Sequence, residues 1–179
     1  MLAAAVVVPI LRSEEPAIVF VRRAAHLRRN PGQMAFPGGL IDAADPDACS
    51  AALREFEEEL GVPRACVRIV DRLEDVTTLA LSVRIAPFVG LIDEAPLYAH
   101  DASETQSVHE VPLRALYASG ALHEGFETVS HEGRRYEVPS WLFDYGDIHV
   151  WGATARILHL FTTRYPPDRP LLLSRAAQD

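Results

Sequence analysis

Residues 54–62, Arg54-Glu55-Phe56-Glu57-Glu58-Glu59-Leu60-Gly61-Val62, decide how this chain is read, together with the string Phe36-Pro37-Gly38-Gly39 upstream. At about 100° per residue, Glu55, Glu58 and Glu59 fall within roughly a 100° arc of a helix. Cys49, Ala52, Leu53, Phe56 and Leu60 fall on the adjoining face, the i, i+3, i+4, i+7 spacing of a helix packed on a core. Three carboxylates on one flank repel each other, and Arg54, close to Glu58 in angle, is expected to offset only one of them. The cluster also sits toward the C-terminal half of the helix, where the macrodipole disfavours negative charge. Oxygen-only sets of this kind suit hard divalent cations such as Mg²⁺ or Mn²⁺. The plain alternative is a solvated acidic face.

Outward from this helix, Asp45-Pro46-Asp47 reads as its start, with Asp45 as N-cap, Pro46 at the first position and Asp47 in the first turn. Gly61 suits a left-handed C-cap. Strands are expected near 3–11, 16–23, 66–74, 79–92, 107–111, 122–130, 134–138 and 141–145. Pro112 opens a short helix over 113–118, and a last helix spans 151–163, with Trp151 and Gly152 packing it onto the core. The glycines of the FPGG string permit a tight turn and close backbone approach to a ligand. Strands outnumber helices and do not alternate with them, so the expected fold class is α+β.

Composition narrows the function. A chain of 179 residues that is 49% apolar is expected to form one domain, 1–179, with a sizeable core. Net charge is −8, which disfavours coating a nucleic acid. All 17 cationic residues are Arg, which excludes a P-loop lysine, a pyridoxal Schiff base and a Ser-Lys nucleophile. The seven histidines show no i, i+4 pairing of the zinc kind. Cys49 and Cys66 form neither a metal-type spacing nor a disulfide framework, and are expected to be buried thiols in a reducing, cytoplasmic setting. The apolar MLAAAVVVPIL opening lacks a basic flank and is too short to span a bilayer, so no membrane partner is expected. It reads as a first strand, entered so abruptly that a leader element carried by relatives is expected to be missing.

The helix string resembles the Nudix box, G-x5-E-x7-R-E-U-x-E-E-x-G-U with U a bulky aliphatic residue. Gly39, Arg54, Glu55, Glu58, Glu59, Gly61 and Val62 match it, and Phe56 takes the first U position. Asp45 stands where the box has its first Glu, and the spacer from it to Arg54 is one residue longer. The wider stretch LRRNPGQMAFPGGLIDAADPDACSAALREFEEELGV resembles the coenzyme A pyrophosphatase branch of the Nudix hydrolases, which carries an LRxHxGQxxFPGGxxDxxD pattern. Leu27, Arg28, Gly32, Gln33, Phe36, Pro37, Gly38, Gly39, Asp42 and Asp45 fit, while Asn30 replaces a His and Ala24 a Ser. SETQSVHEVPL (103–113) and VWGATARIL (150–158) extend the likeness over most of the chain.

The resemblance implies a Nudix-type α/β/α sandwich with a mixed β-sheet and a Mg²⁺- or Mn²⁺-dependent pyrophosphohydrolase. Glu55, Glu58 and Glu59 are then the metal ligands, Glu58 and Arg54 serve catalysis, and Glu104 is the candidate general base or extra ligand. Arg23 and Arg28, from the basic cluster Arg22, Arg23, Arg28 and Arg29, are the substrate-binding cations, and Gly38 and Gly39 the close-approach positions. Glu110 is expected to end its strand. For Asp45 the capping role is favoured over metal binding. The implied partner is a small nucleoside diphosphate derivative, coenzyme A or a thioester first and ADP-ribose or another dinucleotide second. A non-catalytic nucleotide-binding module and a purely structural acidic helix are the other classes considered. A homodimer is one compatible assembly.

Overall fold

The computed structural model describes residues 2–28, 30–78, 83–131 and 133–167. In chain order the elements are β1 (Leu2–Leu11), β2 (Ala17–Arg23), β3 (Met34–Ala35), β4 (Gly38–Leu40), α1 (Ala48–Leu60), a 3-10 turn (Arg64–Cys66), β5 (Arg68–Arg72), β6 (Val76–Thr78), β7 (Val83–Ile92), β8 (Thr105–Pro112), α2 (Leu113–Leu116), β9 (Leu122–His131), β10 (Arg134–Tyr145), β11 (Ile148–Trp151) and α3 (Gly152–Arg164). The α+β expectation stands. The sheet is mixed: β1 runs parallel to β7 from Leu2↔Val83 to Leu11↔Ile92, and its other pairings are antiparallel.

Alternation along the strands feeds two cores. Ala5, Val7, Val19, Val21, Ala86 and Phe88 face α1, whose Ala51, Ala52, Phe56 and Leu60 are fully buried. Val8, Ile10, Ile18, Phe20, Val89 and Leu91 face the other way, toward α2, α3 and β11. Period-2 side-chain direction is what lets one apolar strand serve both layers. A second sheet, in the order β11-β10-β9, lies on the α3 side.

The feature that positions the site is a fork. β1 and β2 pair only at Ile10↔Ile18 and Leu11↔Ala17. Beyond that, β3 takes Val21 and Arg22 while β4 takes Ala4, Ala5 and Val6. The segment joining β3 to β4 therefore sits inside the splayed fork, with the Pro37 carbonyl accepting from Val7 N–H at 2.9 Å.

Several boundaries differ from expectation. Asp47, not Asp45, caps α1, accepting from Ser50 N–H at 2.7 Å. Gly61 is the left-handed C-cap, at φ 66°. The strand expected over 79–92 begins at Val83, and its first four positions lie outside the described residues. β6 and β11 carry no strong sequence signal, and the strands expected at 134–138 and 141–145 are one strand through Pro139 and Ser140. Glu110 lies within β8 rather than at its end and accepts from the Tyr98 hydroxyl at 2.8 Å. Cys49 is half-buried and Cys66 exposed on its 3-10 turn, so the expectation of two buried thiols is corrected. Trp151 is half-buried at the start of α3, where Ser140 Oγ accepts from Gly152 N–H at 2.9 Å.

Two expected outcomes follow from this packing. Phe56→Ala empties a fully buried ring site between α1 and the sheet and should cost about 3–5 kcal/mol, read as a lower urea midpoint with an unchanged slope. His149, on β11, bridges Asp144 and Glu127 at 2.7 and 2.9 Å. Burial disfavours its imidazolium, but the two carboxylates outweigh burial and raise it above the ordinary 6.5. A raised folded value means stabilisation that is complete below pH 6.5 and lost as pH climbs through the folded value. The thermal-midpoint advantage of the wild type over His149→Gln should therefore shrink as pH rises above 6.5, and a constant advantage contradicts it.

Candidate active site

Capping and core-facing spacing fix α1, and its polar flank then faces the fork. Glu59 is only 4% exposed, and its Oε2 accepts from Gly38 N–H at 3.0 Å. Its Oε1 stands 4.0 Å from Arg23 Nη1, at the end of β2. Burial pushes the Glu59 carboxyl up to about 7, against the pull of the Gly38 N–H and the Arg23 guanidinium; Glu55 and Glu104 add to the upward shift. Burial likewise raises Glu55, which Arg54 partly counters. Glu58 is the exposed member of the set.

Arg54 does more than offset one charge. Its Nε and Nη2 form a two-pronged bond to Asp45 at 3.0 Å each, while Nη1 reaches Glu55 at 2.8 Å and Glu58 at 3.0 Å. Asp45 thus clasps the helix to the preceding loop, where it also accepts from Asp42 N–H at 2.8 Å. The Arg54 hydrogen bond holds its carboxyl below the usual range. That forked geometry is one lysine cannot supply.

Gly38 and Gly39 are both demanded by space. Gly38 has φ 153°, and a Cβ there would meet Ala5 O and, at 2.6 Å, Val6 Cα. A Cβ on Gly39 would lie 2.5 Å from Glu55 Cδ. The glycine bend therefore touches both Glu55 and Glu59. Glu104 is exposed, but its carbonyl accepts from Ala24 N–H at 2.9 Å, which holds its loop beside the end of β2. Arg28 is exposed on the turn after β2 and, among the described residues, makes no ion pair with Glu55, Glu58 or Glu59; Arg29 lies outside the described residues. Two further atoms carry no sequence signal: among the described residues Arg23 Nε and Thr105 Oγ1 are buried without an acceptor or donor partner. A lone Thr opening a strand gives no sequence signal.

Among the described residues no three carboxylate, imidazole or thiolate groups are already gathered into a metal cage. Arg54 holds Glu55 and Glu58, and the Gly38 N–H holds Glu59. The donor type still fits a divalent cation. The set is all oxygen, and burial and mutual repulsion raise two of its members, a strain that a cation beside them relieves.

The family model of the NUDIX domain matches residues 1–119. The chain belongs to the Nudix family. It is 36% identical over 155 residues to proteins described as uncharacterized Nudix hydrolase NudL from Enterobacter sp. (strain 638) and Escherichia coli (strain K12), covering 87% of this chain and 78% of theirs. Among solved structures, a MutT/nudix family protein from Enterococcus faecalis superposes with TM-score 0.61 at 20% identity, covering 96% of this chain and 66% of that one. The NUDIX domain of Shewanella oneidensis NrtR, complexed with ADP ribose, gives TM-score 0.52 at 19% identity over 65% of this chain and 76% of that one. These structural likenesses establish the fold. As a Nudix hydrolase the protein acts on phosphoanhydride bonds, and Nudix hydrolases generally use divalent ions. No helix among the described residues is long and apolar enough to cross a membrane.

The two glycines should respond differently to one added methyl. Gly38→Ala drives Cβ into rigid backbone at a left-handed φ, so the thermal midpoint should drop sharply. Gly39→Ala meets only the tip of a movable carboxylate, so its midpoint should stay near wild type. Equal losses for the two variants, measured by circular dichroism melts, contradict this account.

Proposed function

We propose that this Nudix hydrolase is a Mg²⁺- or Mn²⁺-dependent pyrophosphohydrolase of nucleoside diphosphate derivatives, cleaving coenzyme A or its thioesters to 3′,5′-ADP and 4′-phosphopantetheine products. One observation carries the reading. A buried carboxylate, Glu59, is fixed by Gly38 N–H and faced by Arg23, whose own Nε is buried with no acceptor among the described residues. A guanidinium with a dry unused N–H beside a carboxylate cluster is suited to phosphate oxygens. The LRxHxGQxxFPGG-like pattern around the bend supports the choice of coenzyme A.

In this reading Glu55 and Glu59 hold the principal ion and Glu58 completes the set. A divalent ion bound there supplies charge neutralisation and a water acidic enough to ionise near neutral pH. Arg54 orients the carboxylates, with Asp45 anchoring the guanidinium. Arg23 takes phosphate oxygens, and the side-chain-free Gly38 and Gly39 let the diphosphate lie close to the backbone. Glu104, tied beside Ala24, accepts a proton or adds a ligand.

The test is hydrolysis of coenzyme A, ADP-ribose and 8-oxo-dGTP, each with Mg²⁺ and with Mn²⁺. Cleavage of coenzyme A with the best kcat/KM supports the proposal. Preference for ADP-ribose moves the substrate to a dinucleotide, and no cleavage of any diphosphate favours a binding module. Glu58→Gln should lower kcat on the order of 100-fold or more with an unchanged melting midpoint, because an exposed carboxylate is lost and no core volume changes. A variant that unfolds instead assigns Glu58 a structural task.

A further inference from the structure

Directly beside Arg23, a second set of donors gathers on the opposite face of β2. Arg23 faces α1 and Glu59, whereas Arg22 reaches across to the β10–β11 turn, where its Nη2 lies 3.3 Å from the Asp147 carbonyl and 3.6 Å from Asp147 Oδ2. Arg22 pairs with Ser107 on β8, so both side chains emerge on one face, and His109 follows two residues on. Ser107 Oγ and His109 Nε2 are 2.8 Å apart. Burial, and after it the Arg22 guanidinium, push the His109 imidazole below its ordinary value, while Asp147 pulls the other way. All four groups are therefore within electrostatic or hydrogen-bonding reach of one another.

The cluster is under-used by the protein itself. The contacts from Arg22 to Asp147 are long, and the Asp147 side chain is 86% exposed, so this carboxylate is free to swing away. Among the described residues the other guanidinium N–H groups of Arg22 have no acceptor. A guanidinium on a weakly held carboxylate, with a hydrogen-bonded hydroxyl and imidazole pair beside it, makes a donor set for a competing anion, and a phosphate dianion presents more acceptor oxygens than one carboxylate. The position matters as much as the chemistry. A substrate passing over the end of β2 meets Arg23 on one face and Arg22 on the other.

We propose that Arg22, His109 and Ser107 form a second anion subsite for a phosphomonoester carried on the substrate apart from its scissile diphosphate, with Asp147 occupying the guanidinium when no phosphate is bound. This rests on the diphosphate being held at the glycine bend, and it assigns the selection of phosphorylated over unphosphorylated nucleotides to the far face of the same strand. Asp147 acts as an internal competitor, so removing its charge helps the ligand. A purely structural Arg22–Asp147 tie predicts the opposite.

The experiment compares ligands that differ by one phosphate: 3′,5′-ADP against 5′-AMP by calorimetry, and coenzyme A against dephospho-coenzyme A and NADPH against NADH by KM. Wild type is expected to favour the phosphorylated member by about tenfold, the scale of one charge-assisted hydrogen bond. Arg22→Gln should bring the calorimetric ratio close to one, and Asp147→Asn should widen it. An unchanged ratio in Arg22→Gln, or equal wild-type affinities, overturns the subsite. A narrowed ratio in Asp147→Asn overturns the competitor role. If the calorimetric preference holds and no diphosphate is hydrolysed, the subsite stands and the hydrolytic reading falls. Hydrolysis without any preference sinks the subsite alone.

Discussion

The bond from Gly38 N–H to Glu59 is the contact on which the rest of the site depends. A carboxylate that is nearly fully buried needs a hydrogen bond or a charge partner to stay ionised. Here the N–H comes from a bend that exists only because β1 and β2 part company after two paired residues. The fork admits the bend, the bend presents an N–H, and the N–H fixes the innermost carboxylate of α1. Glu55 rests against the next glycine, so the same turn sets the spacing of two acidic groups. Around that contact the chain spends its cations sparingly, with Arg23 facing the inner carboxylate and Arg54 the outer two.

Much of this was readable from residue order. The stripe of Ala52, Phe56 and Leu60, the terminal Gly61 and the three Glu positions are local, so helix periodicity reveals both the buried face and the acidic flank. Residue order says less where distant parts compete. Asp45 and Asp47 flank one proline, and either could cap a helix. Asp47 does so because Ser50 N–H is within its reach, whereas Asp45 is drawn off by Arg54, nine residues on, a tertiary contact that propensity does not contain. Angle on a helical wheel shows Arg54 one partner, because it ignores the loop folded over it.

The strands tell a similar story. Pro139 reads as a break, yet β10 runs through it. Among the described residues β11 pairs only with Leu142–Tyr145, so at Pro139 the side of β10 away from β9 is an edge, the kind of position where a strand tolerates proline. β6 and β11 are short and take their place from β7 and β10 rather than from their own sequence. Arg22 and Arg23 look like one basic patch in the sequence, and only the sheet reveals that a single strand separates their guanidiniums.

The clasp between Arg54 and Asp45 has a one-sided vulnerability. A guanidinium keeps its proton through any alkalinity a protein survives, and its neighbours here raise it further. Base therefore has nothing to titrate at the joint between loop and helix. Acid does, because Asp45 and Glu55 each lose their hold on Arg54 once protonated. The tether that carries the acidic helix behaves as a one-way fastening, indifferent to hydroxide and undone from the proton side alone.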